Sequence, residues 1–166
     1  MKETKLSKFD WVEFEYPIDG AVVTVQAQII EIGENKIVKC QRGDEIYTVN
    51  SDDLFPIVVL DDDLVRNGFK HRQITNELRD FIVERRTKVQ HGEAESEEVA
   101  IVSIRMRGFD TESFDITLEK HLEWQPNQRK KILFFERWGL LYVDQLQHYL
   151  REVGLDDKAD NFKMED

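Results

Sequence analysis

The sequence predicts an α+β protein, in which a small β-barrel precedes an antiparallel β-meander that packs on a C-terminal α-helix. Short runs of alternating apolar and polar residues, separated by turn residues, fill the first third of the chain and return after residue 99. Such alternation is typical of half-buried strands. Near the C-terminus, apolar residues recur at the helical positions i, i+4, i+7, i+8 and i+11, namely Tyr142, Leu146, Tyr149, Leu150 and Val153.

Residues 9–59, which follow an N-terminal arm of residues 1–8, have the strand order of an SH3-like small β-barrel. The first predicted strand covers residues 11–16, and the second, residues 21–32, is rich in β-branched residues. The apolar residues of the second strand change parity near Ile29, which predicts a bulge or a sharp bend at that point. Two hairpin strands, a single 3₁₀ turn and a last strand complete the predicted barrel, at residues 36–41, 45–49, 51–54 and 56–59.

Residues 60–155 are predicted to form the second part of the protein, which begins with a short helix. Three consecutive aspartates at residues 61–63 favour the positive end of a helix dipole, and Gly68 suits the end of that helix. Residues 74–89 fit helical and strand patterns equally well. We expect a short turn or helix near residues 75–78 and a strand after it.

An antiparallel meander and a final helix are predicted after a polar, mobile loop at residues 90–98. Alternating apolar and polar residues indicate three strands, at residues 99–107, 113–119 and 132–135. The final helix should end at Gly154, and its apolar stripe should lie across the meander. Residues 156–166 are predicted to be an acidic tail without a packing signal. The pattern leaves open whether the two parts share one core.

The composition limits the classes of protein to which this chain can belong. Its net charge of −11, from 34 acidic and 23 basic residues, argues against direct nucleic-acid binding, which relies on neutralising phosphates. The basic residues that could form a stripe are interpreted as solvent faces of strands and a turn: Arg85, Arg86, Arg105, Arg107, Arg129, Lys130 and Lys131. Cys40 is the single cysteine, so an intramolecular disulfide is excluded, and its strand pattern predicts a buried thiol.

The sequence carries neither a membrane-span pattern nor a secretory-signal pattern. No apolar run approaches the ~20 residues that a transmembrane helix needs. The basic N-terminal residues are not followed by the apolar stretch of a secretory signal. We therefore expect a cytoplasmic protein that is not attached to a membrane.

Three short motifs occur in the order found in one bacterial family. They are Asp-Leu-Phe-Pro-Ile at residues 53–57, a helix ending in Gly-Phe at residues 62–69, and Tyr-Val-Asp-Gln-Leu-Gln at residues 142–147. Together they resemble an uncharacterised family of Bacteroides-type bacteria and their mobile elements and phages. The resemblance implies a recurring fold associated with mobile or phage-derived genes, and it implies no reaction. Asp144 stands where relatives commonly have histidine, which argues against an obligatory metal ligand or base there.

The sequence contains none of the motifs that usually identify an enzyme. A glycine-rich phosphate loop, a nucleophile elbow and a paired-histidine zinc helix are all absent, and the four histidines lack ligand spacing. Glu119, His121 and Glu123 alternate on one face of a predicted strand and are the candidates for a metal site. Solvated side chains are the favoured interpretation of this pattern. We therefore predict no catalytic, cofactor-binding or metal-binding residue, and no cofactor.

Aromatic residues in the predicted barrel suggest a surface for binding another protein. Tyr16 and Tyr47 lie at strand or loop edges and are candidates for lining a peptide groove. Trp11 and Phe55 are instead assigned to core packing.

Two polar residues of the final helix extend the candidate surface. Gln145 and His148 are placed on the polar side of that helix and complete the predicted interaction surface.

These patterns favour a non-enzymatic protein-interaction or accessory protein of a mobile element or prophage, with a protein as its partner. An alternative hypothesis is an acidic decoy that inhibits a nucleic-acid-processing enzyme, and it requires the carboxylates to gather on one face. A second alternative is a cryptic metal-dependent hydrolase that uses Glu119, His121 and Glu123.

Overall fold

A computed structural model describes residues 5–108, 113–122 and 130–165, and in them two antiparallel sheets are accompanied by short helices. The first sheet has the strand order β1-β2-β3-β4. Its strands are β1 (Trp11–Ile18), β2 (Ala21–Ile32), β3 (Ile37–Arg42) and β4 (Glu45–Asn50). The predicted α+β class, with most of its residues in antiparallel strands, is confirmed.

The second sheet has the order β5-β6-β7-β8-β9, so each strand pairs with the next one in the chain. Its strands are β5 (Lys70–Gln73), β6 (Leu78–His91), β7 (Ala94–Arg107), β8 (Ser113–Leu122) and β9 (Lys130–Trp138). The helices are α1 (Asp61–Arg66), α2 (Val143–Glu152) and α3 (Asp156–Asp160), and a 3₁₀ turn covers Ser51–Asp53. The predicted meander and the predicted final helix are both present.

The first sheet bends where the sequence changes parity. The pairing of β2 with β3 shifts register between Ile29 and Glu31, which confirms the predicted bulge. The inner face of this sheet buries a small cluster that consists of Val12, Phe14, Val25, Ala27, Ile29, Val38, Cys40 and Val49. Burial raises the pKa of the Cys40 thiol to about 11, because the low-dielectric core disfavours the thiolate.

The predicted last strand of the barrel, residues 56–59, does not join the first sheet. Phe55 bridges to Glu13 on β1, but its side chain is 56% exposed, so its predicted place in the core is wrong. The residues after it turn toward the other half of the protein. The Val59 N–H donates to the Leu141 carbonyl at 2.8 Å, and the segment before α2 pairs with this one. Pro56 has no N–H to donate, and Ile57 and Val59 are buried in the larger core. This segment therefore links the two sheets.

Strands β6 and β7 form one long hairpin, residues 78–107. Residues 75–77 make a turn, in which the Thr75 hydroxyl accepts a hydrogen bond from the Leu78 N–H at 3.1 Å. The strand interpretation is thus confirmed from Leu78 onward. The predicted loop at residues 90–98 is wrong, because β6 and β7 pair as far as His91 and Ala94. Its residues form the end of this hairpin, in which Glu93, Ala94 and Glu95 are exposed and Ser96 is buried.

The larger core lies between the inner face of the second sheet and the helices. The helix stripe is buried as predicted, with Leu146, Leu150 and Val153 each no more than 1% exposed. Trp11 of β1 also belongs to this core, whereas its neighbour Val12 belongs to the smaller cluster. The residues that the structure describes therefore form two hydrophobic clusters, and β1 contributes to both because adjacent residues of a strand face opposite ways.

The C-terminal segment is packed, contrary to the predicted free acidic tail. Its apolar residues Leu155, Ala159 and Phe162 are at most 2% exposed and belong to the larger core. They recur at i, i+4 and i+7, which is one face of a helix. The Trp11 indole N–H also donates to the Phe162 carbonyl at 2.6 Å. The high charge of the segment obscured this short apolar stripe.

Candidate functional site

Tyr16 and Tyr47, which were predicted as a pair from the sequence, are in direct contact. Their ring centroids are 4.9 Å apart with an interplanar angle of 79°. Phe14 completes the group, since its ring lies 6.2 Å from that of Tyr16 and 5.5 Å from that of Tyr47. We call these three residues the aromatic mouth. Phe14 is fully buried, whereas both tyrosines are half-buried, so the mouth is open to solvent on one side.

The contact between the two tyrosines requires a strongly curled sheet. Tyr16 lies on β1 and Tyr47 on β4, which are the opposite edges of the first sheet. Both rings are on the inner face, because they keep the parity of the buried residues Phe14 and Val49. A flat four-stranded sheet would separate its edges by about 14 Å, at ~4.8 Å per strand.

The edges beside the aromatic mouth have unused backbone groups. In the described part of the chain, β4 pairs with β3 alone, so its other edge is open. Strand β1 pairs with β2, and its other edge forms a single bridge, between Glu13 and Phe55. Ile18 follows Tyr16 on the same face of β1 and is 40% exposed. The aromatic mouth thus lies beside an exposed aliphatic side chain and a free strand edge. Aromatic rings, aliphatic side chains and free strand edges are all features of peptide-binding sites.

The two residues of the final helix do not extend this surface. Gln145 is only 5% exposed, so its predicted place on the surface is wrong; its side-chain oxygen accepts a hydrogen bond from the Tyr142 N–H at 3.4 Å. His148 is exposed, and its Nε2 lies 3.1 Å from a Glu152 carboxylate oxygen. His148 is close to Asp10, which precedes β1 and lies about 20 Å along the chain from Tyr16, at ~3.3 Å per residue.

Gln147, next to His148, is fully buried and is a structural residue that the sequence pattern did not reveal. Its Oε1 accepts a hydrogen bond from the Trp11 N–H at 2.8 Å, and its Nε2 donates to the carbonyls of Phe9 and Ala159 at 2.7 and 2.8 Å. No apolar periodicity marks such a residue, because its role is to satisfy buried backbone groups.

A buried carboxylate, Asp10, and a half-buried one, Asp144, lie near the beginning of β1. Asp10 is 1% exposed and lies 2.7 Å from Arg151 Nη1. Burial raises the pKa of Asp10, although its hydrogen bonds to Arg151 and to the Ser7 N–H oppose that shift. Burial also raises the pKa of Asp144, with a further contribution from the Asp10 charge. One buried oxygen of Asp144 has no hydrogen-bond partner among the described residues.

The residues of the predicted hydrolase site are only partly described. His121 is 7% exposed, and by register it lies opposite Val99 on β7, while the half-buried Glu119 lies opposite Ile101. Glu123 lies outside the described residues. Within residues 5–108, 113–122 and 130–165, no three histidine, cysteine or acidic residues form a group that could hold a metal ion. The hydrolase hypothesis therefore receives no support from this geometry.

Arg86, Arg105 and Arg107 lie on the outer face of the second sheet, as predicted, whereas Arg85 shares the inner face with Phe81 and Val83. Each of these four arginines meets a carboxylate, and Arg129 of the suspected stripe lies outside the described residues. Their partners are Asp157 for Arg85, Glu84 and Glu97 for Arg86, Asp80 for Arg105, and Asp115 for Arg107. Hydrogen bonds from these arginines lower the pKa of Asp80 and of Asp157. These paired carboxylates are spread over the second sheet and α3, whereas the decoy hypothesis requires carboxylates that gather on one face.

Comparisons with family models, with curated proteins and with solved structures found no match to this chain. Of the helices in the described residues, none is long and apolar enough to cross a membrane. The aromatic mouth is therefore identified as the candidate site from its geometry alone.

Proposed function

We propose that this protein is a non-enzymatic interaction protein that binds an extended segment of a partner protein at the aromatic mouth. The observation that carries the proposal is the contact between Tyr16 and Tyr47 across the two edges of the curled first sheet. An edge strand offers main-chain hydrogen bonds to an incoming strand, and a half-buried ring pair offers a pocket for one of its side chains.

The first sheet also supports a relation to SH3-like barrels, as part of the same proposal. Its long bulged strand, two tight hairpins and 3₁₀ turn follow the order predicted from the sequence. Barrels of this kind bind extended peptides in aromatic-lined grooves. The free edge of β4 and the exposed side chain of Ile18 are consistent with an apolar, extended ligand.

An accessory role in a mobile element or prophage completes the proposal, and a cytoplasmic location is retained with it. The support for the accessory role is the resemblance of residues 53–57, 62–69 and 142–147 to a family associated with such genes. Several motif residues have packing roles here, including the fully buried Leu146 and Gln147. We therefore infer that the motif maintains the fold, while binding is a property of the mouth.

Capture from a bacterial lysate, with matched variants, tests this proposal. The test variants are Tyr16→Ser with Tyr47→Ser, and separately Ile18→Asp, which places a charge at the rim without removing a ring. The control is Val22→Ser with Ile46→Ser, two exposed apolar residues on the opposite face of the same sheet. Thermal melting establishes that each variant is folded.

We expect one protein to be captured stoichiometrically by the wild type and by the control, and to be lost from both mouth variants. Equal capture by folded mouth variants would show that the mouth is not the binding surface. Loss of the partner from the control alone would place the interface on the outer face of the sheet.

A further inference from the structure

The outer face of the second sheet carries an open groove of about 600 Å³ that the proposed interaction does not use. The inner face of this sheet is the larger core, with Phe81 and Ile104 pointing into it. Alternation therefore directs Ile82 and Ser103 to the outer face, where they line the groove. Volumes of 300–1,000 Å³ are typical of small-molecule sites, roughly the size found here.

One wall of the groove is a row of alternating charges across four strands. The strand registers align Arg72 with Asp80, Asp80 with Arg105, and Arg105 with Asp115. The Arg105 guanidinium donates to both oxygens of Asp80, at 2.7 and 2.9 Å. A bidentate pair of this kind holds both side chains in one geometry, so the wall is preorganised.

The next row on the same face explains why there is a depression. This second row lies two residues along each strand from the charged row. In it, Lys70 aligns with Ile82, Ile82 with Ser103, and Ser103 with Thr117. Ser103 and Thr117 have short side chains, so the floor lies below the long arginine and aspartate side chains of the neighbouring row. Ile82 is 39% exposed and gives the floor an apolar area, which the two hydroxyls border.

The edge strand β5 supplies two exposed cations, of which Arg72 lies near enough to Asp80 to lower the pKa of that carboxylate. Lys70 and Arg72 are exposed, and neither forms an ion pair within the described part of the chain. Arg105, in contrast, is bound by Asp80. Both oxygens of Asp80 are already bound by Arg105, so Lys70 and Arg72 leave positive charge beside the apolar floor. The groove thus complements a ligand that has an anionic head and an apolar body.

We propose that this groove binds a small amphipathic carboxylate. Its carboxylate contacts Lys70 and Arg72, its apolar body covers Ile82, and the hydroxyls of Ser103 and Thr117 border that body. Arginine presents a planar fork that matches the two oxygens of a carboxylate, which favours this head group.

Titration of the full-length ¹⁵N-labelled protein with octanoate, followed by NMR, tests this site. Octanamide is the probe that retains the apolar body without the charge, and acetate retains the charge without the body. The test variants are Lys70→Gln with Arg72→Gln, and separately Ser103→Leu, which fills the floor. Lys39→Gln with Lys88→Gln is the control, because it removes two exposed cations elsewhere.

We expect octanoate to shift the resonances of β5 and of Ile82, Ser103 and Thr117, and to bind more tightly than octanamide or acetate. The Lys70 and Arg72 variant should weaken octanoate binding by about tenfold or more, as expected for losing charge-assisted hydrogen bonds. Ser103→Leu should also weaken it, and the control should bind as the wild type does. Equal binding of octanamide, equal affinity of the first variant and the control, or shifts elsewhere would overturn the proposal, as would no shift at millimolar octanoate.

Discussion

The side-chain amide of Gln147 accepts a hydrogen bond from the backbone N–H of Trp11 at 2.8 Å, although 136 positions separate these residues in the chain. The same amide donates to the carbonyls of Phe9 and Ala159. One side chain of α2 thereby satisfies backbone groups in the first strand and in the C-terminal segment. We conclude that α2 joins the two halves of the protein by polar contacts as well as by its apolar stripe.

Replacing Gln147 with alanine should strongly destabilise the protein. The buried Trp11 N–H would lose its partner, and an unsatisfied buried group costs about 1–3 kcal/mol. The carbonyls of Phe9 and Ala159 would each lose one of their donors but keep another, from Gln28 Nε2 and from the Phe162 N–H. We expect a loss of about 2 kcal/mol or more in the free energy of unfolding, measured by urea denaturation. His148→Ala is the control, since this exposed neighbour should change stability by less than about 0.5 kcal/mol. Equal effects of the two substitutions would contradict the bridging role of Gln147.

Phe162→Ala tests whether the C-terminal segment is part of the core. The ring is 2% exposed, and truncation of a buried phenylalanine costs about 3–5 kcal/mol. We expect a decrease of this size in the free energy of unfolding in urea. Lys163→Ala, at the exposed next position, should have little effect. If Phe162→Ala were as stable as the wild type, the segment would be a free tail after all.

Asp144→Asn should stabilise the protein at neutral pH. Burial and the Asp10 charge raise the pKa of Asp144 in the folded state, so its ionisation opposes folding. The substitution removes the unfavourable, partly buried charge at pH 7, and we expect the free energy of unfolding to increase by on the order of 1 kcal/mol. In the wild type, protonation of Asp144 removes the unfavourable charge, so the wild type gains stability as the pH falls through the raised pKa. The difference in stability between the variant and the wild type should therefore vanish below about pH 4, where Asp144 is protonated in the unfolded chain as well.

Urea denaturation of both proteins between pH 4 and pH 7 measures this difference. An advantage that is constant with pH would show that the substitution acts through packing or hydrogen bonding. A loss of stability at pH 7 would mean that the Asp144 carboxylate has a favourable partner.

The Cys40 thiol should be almost inert in the folded protein. Burial raises the pKa of Cys40 to about 11, so at pH 8 roughly a hundredfold less thiolate is present than for a free cysteine. A disulfide reagent should therefore react at least about a hundredfold more slowly with the folded chain than with the chain in urea. A Lys39→Cys variant in a Cys40→Ala background provides an exposed thiol at the neighbouring position. Equal rates at the two positions would contradict the burial of Cys40.

The strand and helix patterns predicted most of the fold because burial in these elements is periodic. The parity change at Ile29 located the bulge, and the spacing of Leu146, Leu150 and Val153 located the buried face of α2. The packing of Phe162 was missed because acidic residues surround a stripe of three apolar positions. The placement of residues 56–59 was missed because a short apolar run does not reveal which sheet edge it meets.

The candidate site was predictable only in part. Tyr16 and Tyr47 were identified from their positions at strand edges, and the curl that brings them together is consistent with the predicted bend. Gln145 was misplaced because a glutamine carries no sign of whether it binds water or a buried backbone group. The groove depends on the alignment of Ser103 with Thr117, and register across strands is a tertiary property that no single strand pattern contains.

The central claim is that the aromatic mouth contacts a partner protein, and photo-crosslinking from position 47 tests it most directly. Tyr47 is replaced by the photoreactive residue benzoylphenylalanine, which keeps an aromatic ring, and Ile46 is replaced in the same way as the opposite-face control. We predict that irradiation in lysate joins one protein to position 47 and leaves position 46 free. Crosslinks from position 46 alone, or none from position 47 of a folded protein, would contradict the claim.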